Sequence, residues 1–533
     1  MRPPLRLGRL ARALCLVLLG MGLAACDGAR SLPGPSQGVL RIALDSRPTN
    51  LDPRFALDAN SSRIAQLIFN GLVRYDERSR VAPDLALSWE QPSPTTFIFH
   101  LRPGVRFHDG RPLTAEDVVY TYTSLLDPEL ASPKRGSYRG LQEVTALDSL
   151  TVRFTLSAYE APFLGNLSLG ILPRPAPAGD ARAREGMRTF PPHADQRQLI
   201  GTGPFRFARW VGDDALELRA NRDSFEGPPK LAGLLFRVIP EQTVSVLELE
   251  NGGIDLIQNE VAPDLLPRLR RNPALRVVTG PGTNYSYFGF NFTDPILRRW
   301  EVRAAIAHAI DRRSIIRHLL RGLAEPATGL LSPLNWAYDG EVATYPYDPA
   351  RARALLDAAG FPDPDGAGPA PRFRLHYKTT QNDLRQRIAL VLQEELAEIG
   401  IELQVRFFEW GTFFADIARG NFQLYTLTWV GVRDPDIYYY TMHSASEPPQ
   451  GANRGRYRSA PLDLLLERGR AAGTLEERRA IYSEVQRLVA AELPYVSLWY
   501  STNIAVMRTT VQGFRLHPAG DFMSLREVEL RAD

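Results

Sequence analysis

The chain has 533 residues, 63 of them basic and 60 acidic, for a formal charge of +3 at neutral pH. That length implies more than one domain. The near-balance of charge argues against a nucleic-acid binder, which needs a concentrated basic face.

The first element in chain order is an export signal. Arg2, Arg6, Arg9 and Arg12 precede an apolar stretch over residues 14–23, and Leu23-Ala24-Ala25-Cys26 closes it. A basic start, a short apolar run and a small-residue exit are the three parts of a secretory signal. The run is about half the ~20 residues that span a bilayer, too short for a permanent transmembrane helix. The four residues ending at Cys26 resemble a bacterial lipobox. That resemblance implies loss of residues 1–25 and a diacylglyceryl group on the Cys26 sulfur, and two or three acyl chains hold a membrane stably. The expected location is the periplasmic or cell-surface face of the cytoplasmic membrane.

Cys15 leaves with the signal, so the mature body carries no disulfide and depends on its core. Loss of the four arginines takes the formal charge from +3 to −1. Residues 26–38, with Gly28, Ser31, Pro33, Gly34, Pro35, Ser36 and Gly38, have the composition of a tether. Stretched, it reaches roughly 40 Å. Asp27 resembles an inner-membrane retention signal; an ordinary linker aspartate is the alternative.

Residues 39–44 read as a strand with Leu40, Ile42 and Leu44 on one face. Thr114 precedes a helix in which Val118, Tyr122 and Leu125 recur at helical spacing and Asp117 sits near the positive end. Residues 173–198 carry five prolines and five arginines and read as a surface excursion. Asp348-Pro349 opens another helix, with Gly360 beyond its last turn. Asp363 and Asp365 suggest a calcium loop, but the third acidic position and the closing glutamate are missing, so a turn is expected. Ile388, Leu392, Leu396 and Ile399 mark one helix face ending at Gly400, and Ile401, Leu403, Val405 and Phe407 alternate as a strand. Leu462, Leu465 and Leu466, then Ile481, Val485 and Leu488, give two more amphipathic helices. The body is α/β, without a fixed repeat.

Catalytic signatures are missing. No lysine follows a glycine, so there is no phosphate-binding Walker loop. Gly201-Thr202-Gly203 has Arg206 where a dinucleotide fingerprint needs its third glycine. There is no G-x-S-x-G elbow and no H-E-x-x-H. His308 and His318 lie ten apart with no carboxylate at ligand spacing. Asp434 and Asp436 are a paired-acid candidate, but the flanked Pro435 is equally the mark of a turn. No enzyme activity and no cofactor are expected.

The segment Leu101-Arg102-Pro103-Gly104-Val105-Arg106-Phe107-His108-Asp109-Gly110-Arg111-Pro112-Leu113-Thr114-Ala115-Glu116-Asp117-Val118 resembles a signature of extracellular solute-binding protein family 5, the peptide- and nickel-type receptors of ABC importers. Asn50-Leu51-Asp52-Pro53, Pro83-Asp84-Leu85-Ala86-Leu87-Ser88-Trp89, Gly201-Thr202-Gly203-Pro204-Phe205, Gly253-Ile254-Asp255-Leu256, Val302-Arg303-Ala304-Ala305-Ile306 and Ala309-Ile310-Asp311-Arg312 agree with it in order. The resemblance runs from about residue 39 to 510. It implies the large two-lobed, type II periplasmic binding protein fold, hinged around an interlobe cleft. Lobe I would take residues 39–75, 200–280 and the return 503–533, with an extra subdomain over 76–199. Lobe II would take 281–502, with crossings near 280 and 502. Two crossings make a hinge, and a ligand touching both lobes selects the closed state. A membrane permease and an ATPase are the implied partners, and the receptor itself is expected to be a monomer.

Trp410 and Trp429 match aromatic positions that line the cleft of oligopeptide receptors, and Tyr287 occupies a similar place. Flat rings tolerate many side chains, although core packing accounts for each equally well. Peptide receptors often carry an aspartate three residues after the second tryptophan, where this chain has Val432. Arginines of some members correspond to Ile417 and Thr426. A charged terminus desolvated without a partner costs several kcal/mol, so Arg433 and Asp434 are the candidates to replace those partners. The expected ligand is a peptide or a similarly sized organic molecule. A signalling receptor or an enzyme on the same scaffold is the alternative. Nickel would arrive only in a chelator, since no histidine cluster is visible.

Overall fold

The computed structural model describes residues 38–76, 80–175, 199–212, 214–366 and 368–531. The signal peptide, Cys26, Asp27, all of the tether but Gly38, and residues 176–198 of the proline-rich excursion lie outside the described residues.

A seven-stranded sheet draws on three stretches of chain. Its order is Leu275–Gly280, Asn503–Arg508, Leu256–Gln258, Val39–Leu44, Gly233–Val238, Ala215–Ala220 and Phe205–Val211. Val39–Leu44 runs parallel to both neighbours, with Ile42 opposite Phe236 on one side and Leu256 on the other. Leu40, Ile42 and Leu44 enter one core with Phe236 and Met507, while Ala43 enters another with Ile257 and Val506. A strand covered on both faces is the usual state of a parallel strand.

A second sheet has the order Ala324–Pro326, Tyr495–Ser501, Tyr285–Phe290, Leu424–Trp429, Phe373–Thr380 and Ile401–Phe408. Its clearest local unit joins Phe373–Thr380 to the parallel Ile401–Phe408 through the helix Asp383–Ala397. Asn382 caps that helix, Ile388, Leu392 and Leu396 are buried, and Gly400 takes φ +82° where the chain turns into the strand. The strand's inward alternation fades along its length: Ile401 and Leu403 are buried, Phe407 is exposed. It is the edge of the sheet, so its far end has less to pack against.

The four antiparallel strands Ala86–Ser93, Thr96–Leu101, Thr151–Leu156 and Leu141–Ala146 form a separate sheet. Helix Ala115–Leu126 covers it, burying Val118, Tyr122 and Leu125 against Phe99 and Phe154. At its start the Asp117 carboxylate accepts from the Thr114 backbone N–H and hydroxyl, both at 2.8 Å. The signature over 101–118 is therefore structural: Gly104 and Gly110 turn with positive φ, and Phe107 and Val118 fill the core. Asp363 and Asp365 cap a turn through the N–H groups of Gly366 and Ala370. Among the described residues no group of His, Cys, Asp and Glu could hold a metal. None of their helices is long and apolar enough to cross a membrane.

The chain passes from the first sheet to the second between Gly280 and Tyr285, and returns between Ser501 and Asn503. Asn503, fully buried, ties the two passages together. Its side-chain oxygen accepts from Asn259 and Asn284, and its nitrogen donates to the carbonyls of His517 and Pro518.

Candidate functional site

Between the two large sheets lies a cleft of about 490 Å³ with walls from both. A cavity of similar size, about 460 Å³, sits beside Tyr285, Arg312 and Tyr438, but all its walls come from residues 285–497. Only the first space can sense both halves of the molecule.

Trp429 is the last residue of its strand, paired with Tyr285 across the ladder. Trp410 opens helix Trp410–Arg419, whose N-cap Glu409 accepts from the Thr412 N–H. Trp410 stacks on Phe414 one turn along, with ring centroids 5.5 Å apart. The Arg454 guanidinium, 7% exposed, lies 4.7 Å over the Trp429 ring and 5.3 Å over Phe414. It locks both aromatic walls through cation–π contact. Among the described residues neither indole N–H group has a protein acceptor.

The sequence-derived candidates separate here. Trp410, Trp429 and Arg433 line the cleft. Tyr287 borders it but exposes no surface; it stacks behind Trp429 at 6.5 Å and 8° and packs on Tyr495 at 4.1 Å. It belongs to the cleft's lining from a strand that is central and buried throughout, so it stands behind Trp429. Arg433 is already paired, its Nη2 2.6 Å from Asp521, and Asp521 also faces His517 at 3.1 Å. Asp434 does not reach the cleft. Arg478 holds its two oxygens at 2.6 and 3.1 Å, and Arg470 holds Asp436 in the same two-pronged way at 2.7 Å. Asp434 is therefore a structural ion pair and not a free counter-charge. Val432 and Ile417 pack in the core with Phe413 and Tyr425, so neither position faces ligand. Thr426 lines the cleft, its hydroxyl 2.7 Å from that of Tyr377.

Sequence reasoning missed most of the charge. Asp45, Asp58, Glu260, Asp521 and Arg63 enter from the side of the first sheet, and Arg385, Arg433 and Arg454 from the side of the second. Asp58 is occupied as the N-cap of helix Ala59–Ile68, accepting from the Ser61 N–H at 2.8 Å, and Asp45 accepts from Asn60 at 2.9 Å. Burial and the neighbouring Asp45 push the Glu260 carboxyl up to about 8, against the pull of Arg385 and Arg63 and a hydrogen bond from Gln242. Burial lowers the Arg63 pKa against the attraction of Glu260 and Asp45, and its Nε has no partner. Among the described residues the Arg385 guanidinium donates one hydrogen bond, to the Thr380 hydroxyl at 3.0 Å. The available sequence signal was capping: Asp58 and Asn382 start the helices that carry Arg63 and Arg385 near their first turns.

Two sheets that exchange the chain twice around a ligand-sized cleft define the class of the periplasmic binding proteins. The chain belongs to the bacterial extracellular solute-binding proteins, family 5, whose middle-region model matches residues 80–450. It is 30% identical to the oligopeptide-binding protein AppA of Bacillus subtilis over 96% of this chain and 97% of that one. The structure of AppA with a nonapeptide matches at a TM-score of 0.86 and 28% identity, covering 93% of this chain and all of that one. DppA of Helicobacter pylori, in complex with the peptide STSA, matches at 0.82 and 26% over 93% and 98%. The protein is thus an extracytoplasmic transport receptor and not an enzyme.

Proposed function

We propose that the protein captures a peptide, or a zwitterionic organic molecule of similar size, between two lobes and delivers it to the permease and ATPase of an ABC importer. Lobe I comprises residues 39–75, 200–280 and 503–533 with the subdomain 76–199, and lobe II residues 281–502. Lipid at Cys26 tethers the receptor, a monomer, to the membrane.

The observation that carries the ligand class is the opposed charge of the two walls. Lobe I brings four carboxyl groups and one guanidinium to the cleft and lobe II three guanidiniums and, among the described residues, no acid. With Asp58 capping its helix, Asp521 paired to Arg433 and Arg454 set against the rings, Glu260 and Asp45 face Arg385 as the groups left for a ligand. A zwitterion lying across the cleft meets a counter-charge at each end. Its carboxylate faces Arg385, whose planar fork suits two-pronged contact. Its ammonium faces Glu260 and Asp45, and its apolar middle lies on Trp410 and Trp429. AppA and DppA, with peptides bound in their structures, support the same ligand class.

The test is native mass spectrometry of residues 27–533 purified from the periplasm without added ligand, followed by fragmentation of what is released. A ladder of amino-acid masses is expected. A single mass with no such ladder overturns the peptide class. The tether is tested separately: Cys26→Ser is expected to free the protein from membranes, and retention through a salt wash refutes the lipid anchor.

A further inference from the structure

A second contact between the lobes lies outside the ligand cleft. Asp264, in the short turn Pro263–Leu265 of lobe I, accepts from two arginines of lobe II. Its Oδ1 is 2.6 Å from Arg321 Nε and its Oδ2 2.8 Å from Arg387 Nη1. The partners lie 57 and 123 residues away in sequence, so only the meeting of the lobes brings the three together.

Two features separate this contact from an incidental surface pair. Arg321 takes φ +52°, a left-handed conformation that L side chains rarely adopt, followed by Gly322 at +76°. Strain of this kind concentrates at clamps and switches, where it serves to aim a side chain. In addition, Arg387 sits two residues beyond Arg385 in helix Asp383–Ala397, so one helix faces both the ligand cleft and Asp264. The opposite rim closes differently. There Ala161 N–H donates to the Arg470 carbonyl at 2.8 Å, and Arg139 donates to the Ala445 carbonyl at 3.0 Å. Both acceptors are neutral carbonyls, and the charge there is carried by Glu160 facing Arg470 without a direct ion pair, whereas Asp264 accepts directly from two guanidiniums.

We infer that Asp264, Arg321 and Arg387 form an electrostatic latch that holds the lobes closed and so sets how long ligand stays bound. The inference rests on the two-lobed reading above but not on the ligand's identity. The three side chains are 35%, 56% and 40% exposed, so the latch is weak pair by pair and open to salt. Weakness suits a receptor that must release its ligand.

Pulsed electron–electron distance measurement tests the latch without any ligand. Spin labels go on Leu247→Cys in lobe I and Leu464→Cys in lobe II, both exposed positions, in the full chain bearing Cys15→Ser and Cys26→Ser so that no other thiol takes the label. At about 20 mM salt a closed population is expected, shrinking at about 1 M. Asp264→Asn is expected to lower the closed-to-open ratio roughly three- to tenfold at low salt and to weaken the salt response, the Arg433–Asp521 pair within the cleft being left in place. Exchanging the charges, with Asp264→Arg, Arg321→Asp and Arg387→Asp together, is expected to restore closure. A wild-type chain already open at low salt, or distributions that Asp264→Asn leaves unchanged, overturns the latch. Neither result bears on whether the ligand is a peptide.

Discussion

Asp45, Asp58, Glu260 and Asp521 enter the cleft from the side of the first sheet, whereas Arg385, Arg433, Arg454, Trp410 and Trp429 enter from the side of the second. The first wall is acidic and polar, the second basic and aromatic. Such a division orients a ligand before it selects one, because a zwitterion placed backwards meets like charge at both ends. It also pulls the walls toward each other. Arg433 and Asp521 show this directly, since their ion pair joins the two walls within the cleft.

The comparison breaks most sharply at that pair. Asp521→Ala leaves Arg433, 17% exposed, without its counter-charge, and a loss of roughly 3 kcal/mol of stability is expected from denaturant unfolding. Unchanged stability would mean that the walls do not depend on each other. Next, Trp429→Ala is expected to weaken binding of the native ligand at least tenfold, about 1.4 kcal/mol, with the unfolding midpoint little changed. Calorimetry showing equal affinity removes Trp429 from the aromatic wall.

The acidic wall predicts a pH dependence. With its carboxyl pushed up to about 8, Glu260 is largely protonated in the empty cleft at neutral pH, and a bound ammonium favours the ionised form. Binding therefore releases a proton, and affinity rises with pH toward about 8, by at most tenfold per pH unit. Glu260→Gln is expected to flatten that rise. A slope that persists in the variant assigns the proton elsewhere. The smallest effect belongs to Asp434→Asn, expected to change affinity by less than about twofold while lowering stability, because Arg478 loses its partner.

Local rules made much of the fold legible. The unit from Ile388 to Phe407 has its helical face, its terminal glycine and its alternating strand within one short stretch, and the sequence shows each. Trp410 and Trp429 stand in the cleft wall at the positions that the family resemblance matched. The charged walls were not legible for a topological reason. Their carboxyl groups stand at 45, 58, 260 and 521, and only the return of the chain to the first sheet gathers them. Asp434 misled for a related reason: its partner Arg478 lies 44 residues on, in helix Leu475–Glu492. Tyr287 sits in a strand buried on every residue, where alternation gives no clue to which side borders a cleft.

The return crossing has a mechanical consequence. Strands Tyr495–Ser501 and Asn503–Arg508 belong to different sheets, yet only Thr502 separates them. Two Cα steps limit Ser501 and Asn503 to about 7 Å apart in any state. With the other passage tied to the same spot through Asn284 and Asn503, the halves are free to swing but not to slide. A thicker cargo then changes the angle of the jaws, while a longer one must run along the groove or out of its end.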